Sequence, residues 1–267
     1  MSEPSQTATR RMPVVFVGHG SPMNAVEDNT WTRAFRALGQ ALPRPTAILA
    51  VSAHWYVDGT FLTGNDPQPT IHDFGGFPPA LYEVRYPARG SADLAGRVAG
   101  LLSARGASVR SDWGLDHGTW SVLVHARPAA DCPVVQLSID ARLRPAEHLA
   151  IGRALAPLRG AGVLILGSGN LVHNLRHAFG SARQDLAEPP DWARGFDTDV
   201  ATALGQHDTG FLTRAIEGDP ARMAHPTPDH YLPLLYAAGA ADRDDAVGFP
   251  IEGFDLGSIS MRAVRFG

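Results

Sequence analysis

Lysine is missing from this chain: all 23 cationic side chains are arginine. Without an ε-amine, Schiff-base catalysis, pyridoxal-phosphate chemistry and P-loop nucleotide hydrolysis are excluded. Cysteine is almost missing too, and the single Cys132 excludes a disulfide framework, a thiolate metal cluster and a Cys-x-x-Cys redox pair. Because Cys132 precedes Pro133 and the apolar pair Val134-Val135, it reads as an inert buried thiol in a reducing compartment. Long apolar runs are lacking as well. Stretches such as Ala47 to Val51 fall far short of the roughly 20 residues that a membrane-spanning helix needs. No excess of one charge exists either: the net charge is -4 with acidic and basic residues mixed, so no basic stripe offers itself to nucleic acid. Residues 1–12 are polar and have no apolar signal core, so we expect a flexible N-terminal tail on a cytoplasmic domain over 13–267.

What is present is 267 residues of 44% hydrophobic content, enough for one substantial core. Short β-rich runs at Val14 to Val17, Ala47 to Val51, Val134 to Ile139 and Val163 to Leu166 read as buried strands. Amphipathic helical patterns lie between them: one capped by Ser91 and stopped at Gly106, another opened by Pro145 and stopped near Gly160. Further helical patterns run over 190–205, 208–217 and 228–239, and Ser258 to Phe266 alternates like a closing strand. The order predicts a single α/β domain: a central, mostly parallel or mixed sheet flanked by helices, with the active site at the strand C-terminal edge. Gly64 to Pro87 is rich in Gly, Pro and aromatics and has no regular period, the mark of a functional loop.

Three familiar motifs fail. Gly167-Ser168-Gly169 is flanked by Leu166 and Asn170 where a nucleophile elbow needs glycines. As a dinucleotide fingerprint the same string ends on Val172 in place of Gly or Ala. His173 and His177 are spaced for a helical metal pair, but Asn174 follows His173 where a zinc protease carries its glutamate base.

The histidines are more informative. His19 follows the first predicted strand and His54 the second; His173 follows the fourth, past the glycines 167 and 169, which are expected to let the backbone turn tightly. Ligands of open α/β sheets bind at that edge, so three imidazoles from separate strands would meet there. His230 would join them from the first turn of a helix capped by Thr227 with Pro228 at its first position. Neutral imidazoles from three or four elements, with no cysteine, suit Fe(II) or Zn(II) at a site with open positions. Asp116 beside His117 would fix that imidazole's tautomer, making His117 a candidate for substrate binding or acid–base work. His72, Phe74 and Phe77 would wall an aromatic pocket.

Taken in order, Gly18-His19-Gly20-Ser21-Pro22-Met23, Ser52-Ala53-His54-Trp55, His72 to Pro78, Asp116 to Trp120, Gly167 to Asn170 running into His173-Asn174-Leu175, and His225 to His230 resemble the DOPA 4,5-dioxygenase family. These are class III extradiol ring-cleavage dioxygenases related to the protocatechuate 4,5-dioxygenase catalytic subunit, and the resemblance runs from about residue 13 to the C-terminus. It implies one divalent metal per chain on His19, His54 and His230, with His173 as fourth ligand or catalytic base. The third ligand of the protocatechuate enzymes is a glutamate; His230 in its place leaves an uncharged, all-nitrogen set. Fe(II) would serve activity, and Zn(II) would also fit as the bound ion. His173 and His117 are then the catalytic pair, while His72, Phe74, Phe77, His117 and His225 bind the substrate. The implied partners are a small aromatic vicinal diol and O2, and the product a muconic semialdehyde; neither nucleic acid nor membrane is expected, and oligomeric state is left open. From another class, the same histidines suit a zinc hydrolase, or a non-catalytic pocket for an aromatic ligand.

Overall fold

The computed structural model describes residues 11–182 and 188–267. Strands β1 (Val14–Gly18), β2 (Ala47–Val57), β3 (Phe61–Thr63), β4 (Ser108–Arg110), β5 (Val134–Asp140) and β6 (Val163–Gly169) make up the first two thirds of the chain. Between and after them come α1 (Thr30–Ala41), α2 (Pro79–Glu83), α3 (Ala92–Leu101), α4 (His117–Ala126), α5 (Pro145–Leu155) and α6 (Leu175–Ala182). The C-terminal third carries α7 (Asp191–Gly205), α8 (Thr209–Arg214), α9 (Asp219–Ala224) and α10 (Leu232–Ala240), then β7 (Val247–Ile251), β8 (Phe254–Asp255), β9 (Ile259–Ser260) and β10 (Ala263–Phe266).

The main sheet has the order β4-β3-β5-β2-β6-β1-β10-β7. Its centre, β5-β2-β6-β1, is parallel, while β3 runs antiparallel to β5 and β10 antiparallel to β1. Both faces are covered, so every residue of β1, β5 and β6 is buried, and the polar ones among them are hydrogen-bonded, as Ser138 is to Gly59 O at 2.9 Å. Val14 and Phe16 face a core shared with α5 and α10, whereas Val15 and Val17 face one built on Phe35 and Leu38 of α1 and Trp120 and Leu123 of α4. Every residue of α10 is buried, as its uniformly apolar sequence requires.

The single α/β domain with a mostly parallel, mixed sheet is as the sequence predicts. Several local expectations are corrected. The closing run is two elements: β9 pairs with β8 in a separate two-stranded sheet, and only β10 joins the main one. The last helix begins at Leu232 with no side-chain cap, because Pro228 opens a turn whose carbonyl accepts from Tyr231 N and Leu232 N. The short strands β3 and β4, at one side of the sheet, carry too few residues to show a period. Of the tail expected over 1–12, residues 1–10 lie outside the described residues; Met12 is buried, its N–H donating to Arg159 O at 3.1 Å.

Candidate metal centre

Three adjacent strands, β2, β6 and β1, deliver histidines to one edge. His19 directly follows β1, and its N–H donates to Gly169 O at 3.0 Å. His54 lies inside β2, not beyond it: pairing with β5 runs Val51↔Leu137 and then Tyr56↔Ile139, so β2 bulges over Ser52 to Trp55 and swings His54 out of the sheet. Ser52 Oγ props the bulge, accepting from His54 N at 3.3 Å and donating to Asp116 Oδ1 at 2.6 Å. His173 sits four residues past β6, bridged to Ile259 of β9. His230 ends the turn before α10, and Asn170 N donates to its carbonyl at 2.9 Å.

The glycines act through close approach rather than tight turning. Both lie within β6, and a Cβ on Gly169 would stand 2.1 Å from His230 O. A Cβ on Gly118 would meet Ser52 Oγ at 2.5 Å and His54 Cδ2 at 2.9 Å. Neither approach survives a side chain.

The hydrogen bonds assign the tautomers. Ser168 Oγ donates its one proton to Gly118 O, so at 3.0 Å it accepts from His19 Nδ1. Asp73 Oδ2 accepts from His117 Nδ1 at 2.9 Å, and the same carboxylate oxygen lies 3.2 Å from His54 Nδ1, a charge contact that favours the proton on that nitrogen. Asp229 accepts from His230 Nδ1. The Nε2 lone pairs of His19 and His54 therefore face each other across 3.1 Å, and His230 Nε2 is buried with no partner among the described residues. Opposed lone pairs and an orphaned buried nitrogen repel or lose energy unless a cation lies between them. The ring centroids of His230 stand 5.3 Å from His19 and 5.0 Å from His54, and ligand atoms of His19, His54 and His117 lie within 4.8 Å of one another. These distances fit a divalent ion with bonds near ~2 Å.

Electrostatics keep the imidazoles neutral. Burial, with neighbouring histidines adding to it, lowers His19 and His230 far below the ordinary value; burial brings His54 to about 3 and His173 to about 4. Neutral imidazole is the ligand form. The rings of His173 and His230 stack at 3.5 Å with 4° between planes, and the His173 side chain makes no hydrogen bond among the described residues.

The histidines floor a cavity of about 320 Å³. Phe74 and Phe77, in edge contact at 5.3 Å, form one wall; Leu175, Phe179, Leu256 and Ile259 form the other. Thus His19, His54, His117, His173, His230, Phe74 and Phe77 line one cavity. His72 and His225 do not. His72 lies behind Phe74 with its Nε2 on Val84 O at 3.1 Å, because its neighbours Arg85 and Tyr82 anchor that turn. His225 is a core residue, its Nε2 on Leu171 O at 2.7 Å between Phe196 and Tyr231.

The partner of His117 is also corrected. Asp116 caps α4 and points into a buried network with Ser52 and Gln136, where burial pushes its carboxyl up to about 7; Asp73 orients the imidazole instead. Sequence reasoning missed Asp73, Phe179 and Asp255, although Asp73 adjoins His72 in the aromatic loop that carried a signal. Cys132 is buried, and burial pushes its thiol up to about 11, as an inert residue should be.

Comparison with known proteins fits this geometry. Residues 13–266 match the family described as the catalytic LigB subunit of aromatic ring-opening dioxygenase. A protein of Escherichia coli K12 named 4,5-DOPA dioxygenase extradiol is 46% identical over 264 residues, 97% of this chain and 96% of its own. A protein of the same name from Beta vulgaris is 37% identical, over 94% of this chain and 95% of its own. The crystal structure of an uncharacterised E. coli K12 protein superposes with a TM-score of 0.81 at 41% identity, covering 96% of this chain and 100% of that one. With a full-length family match and relatives of this identity, the chain belongs to the LigB family and is a class III extradiol, ring-opening dioxygenase.

Proposed function

We propose that residues 13–267 open the ring of a small aromatic vicinal diol, DOPA or a close analogue, beside its two hydroxyls, incorporating both atoms of O2 to give a muconic semialdehyde. One divalent metal per chain is held by His19, His54 and His230. The observation that carries this reading is the close approach of the His19 and His54 Nε2 atoms, 3.1 Å apart, beside a His230 Nε2 that has no partner among the described residues. Fe(II) would supply the electron that O2 needs and the charge that acidifies the diol, whereas Zn(II) supplies the charge alone.

The remaining work falls to the chain. His173, neutral and with no side-chain hydrogen bond among the described residues, accepts a proton from the diol. His117, held by Asp73 through both its backbone N–H and its Nδ1, presents Nε2 to the cavity and orients the diol or O2. Phe74 and Phe77 hold the aromatic ring against the imidazole floor. The name shared by the E. coli and Beta vulgaris relatives supports a DOPA-like substrate.

The test is anaerobic loading with Fe(II), then O2 with a catechol panel that includes DOPA and protocatechuate, alongside metal analysis of the freshly isolated protein. Oxygen uptake with a yellow product is expected. Hydrolysis without oxygen would replace the proposal with a zinc hydrolase, and silence with every metal with a binding protein.

A further inference from the structure

Among the described residues that line the cavity there is no arginine and one carboxylate, Asp255. The other carboxylates near the centre are engaged: Asp73 with His54 and His117, Asp229 with His230, Asp116 with Ser52 and Gln136. Asp255 makes no ion pair among the described residues, and its one side-chain bond is local, Oδ1 accepting from Leu256 N at 3.0 Å. Burial raises its carboxyl, and Glu27 nearby adds to the effect. Glu27 and Asp255 also share an adjoining cleft of about 520 Å³ lined by Asn24, Asn29 and Ser21, with no cationic side chain. Two described arginines, Arg176 and Arg222, line a different cleft that meets the cavity at His173 and Leu175. Among the described residues, this part of the cavity lining therefore carries a carboxylate and no cationic side chain.

The carboxylate is also held in place. Leu256 has φ +48 and Gly257 φ +73, the two left-handed positions of a tight turn between β8 and β9. Leucine is disfavoured in that conformation, and such positions cluster at ligand clamps. The hairpin is bonded to the segment that carries His173: Ile259 bridges His173, and Ser260 N donates to Val172 O at 2.9 Å. Asp255 is thus set at a fixed separation from the imidazole floor. Leu256 and Phe179 beside it supply an apolar rim that strengthens any ion pair made there.

We propose that Asp255 is a specificity-determining residue that binds a protonated amine on the substrate's side chain, so the site selects catechols carrying an ammonium over those whose only charge is a carboxylate. The proposal rests on the ring-opening reading of this cavity. An ammonium offers the donors that Asp255 lacks, and a charge-assisted bond of this kind commonly changes affinity tenfold or more.

The test uses the Fe(II)-loaded chain and three probes with the same ring: dopamine with an ammonium, ethylcatechol with no charge, and dihydrocaffeate with a carboxylate. The expected order of kcat/KM is dopamine, ethylcatechol, dihydrocaffeate. Asp255→Asn keeps the bond from Leu256 N and is expected to lower kcat/KM for dopamine by about 10–100-fold, mainly through KM, with ethylcatechol nearly unchanged. Asp255→Glu should restore part of the preference. Anaerobic calorimetry should give the same ratios for binding. An equal loss for all three probes, or an unchanged dopamine-to-ethylcatechol ratio, would overturn the role of Asp255. If the wild-type chain opens none of the three rings, the ring-opening reading fails, and the calorimetric ratio still decides on Asp255: equal binding of dopamine and ethylcatechol overturns it.

Discussion

The two edges of the central sheet bury polar side chains in opposite ways. At the amino edge Arg159 is 1% exposed and fully matched, donating to Met12 O at 2.8 Å, Ala240 O at 3.1 Å and the Asp245 carboxylate at 2.6 and 3.0 Å. At the carboxyl edge the imidazoles of His19 and His54 face each other with lone pairs, and His230 Nε2 has no partner among the described residues. A buried charge survives by saturating its donors, as at Arg159, and such a group is structural. Buried groups that converge and stay unsaturated cost energy unless a ligand satisfies them. Saturation, more than polarity, separates structure from function here.

Mutations at each edge should therefore have opposite signatures. The largest effect is expected from His19→Ala or His54→Ala, which should remove the bound metal and lower oxygen uptake to background while the thermal transition of the metal-free protein stays close to wild type. Elemental analysis and an oxygen electrode read this, and retained metal would break the comparison. Arg159→Ala should do the reverse: a loss of about 3–5 kcal/mol in urea unfolding, because Asp245 loses its cationic partner and two carbonyls lose a donor, with normal metal content.

A finer contrast lies within the carboxyl edge. Asp73→Asn removes the negative charge beside the Nδ1 atoms of His54 and His117 and should cut metal affinity about 10–100-fold in a competition titration with a chelator. His230→Ala should lose metal as His19→Ala does, whereas His117→Ala should keep metal and lose turnover; the opposite metal contents would make His117 the third ligand. The smallest effect is on pH dependence. His54 at about 3, and His173 and His225 at about 4, all lie below the 6.5 of a free imidazole. Below that value the unfolded chain binds protons that the folded one refuses, so stability of the metal-free protein is full above pH 6.5 and falls as the pH drops from there toward about 4. Urea midpoints measured across this window should decline steadily on acidification, and a flat profile would contradict neutral, buried imidazoles.

Much of this site is legible in the sequence because its residues follow strands that announce themselves. The apolar runs ending near Val17, Val51 and Leu166 are enough to place His19, His54 and His173 at one edge. Where the sequence misleads, the information is not local. His72 and Phe74 are two residues apart in an irregular loop, and only the path of that loop sends the phenylalanine into the cavity and the histidine toward Val84. Asp116 adjoins His117, yet in the first turn of a helix its carboxylate turns back to cap Thr119 N, leaving the imidazole to an aspartate 44 residues away.

The amino-acid sequence by itself determined the α/β class, the absence of lysine and thiol chemistry, and a histidine near the carboxyl end of each of three apolar runs, because periodicity and residue counts are properties of short stretches. Tertiary structure alone decided which nitrogens face the centre, which carboxylates orient them, and that Asp255 stands over the cavity with no ion pair among the described residues. Tautomer, desolvation and charge pairing depend on atoms brought together from distant parts of the chain, and no local pattern encodes them.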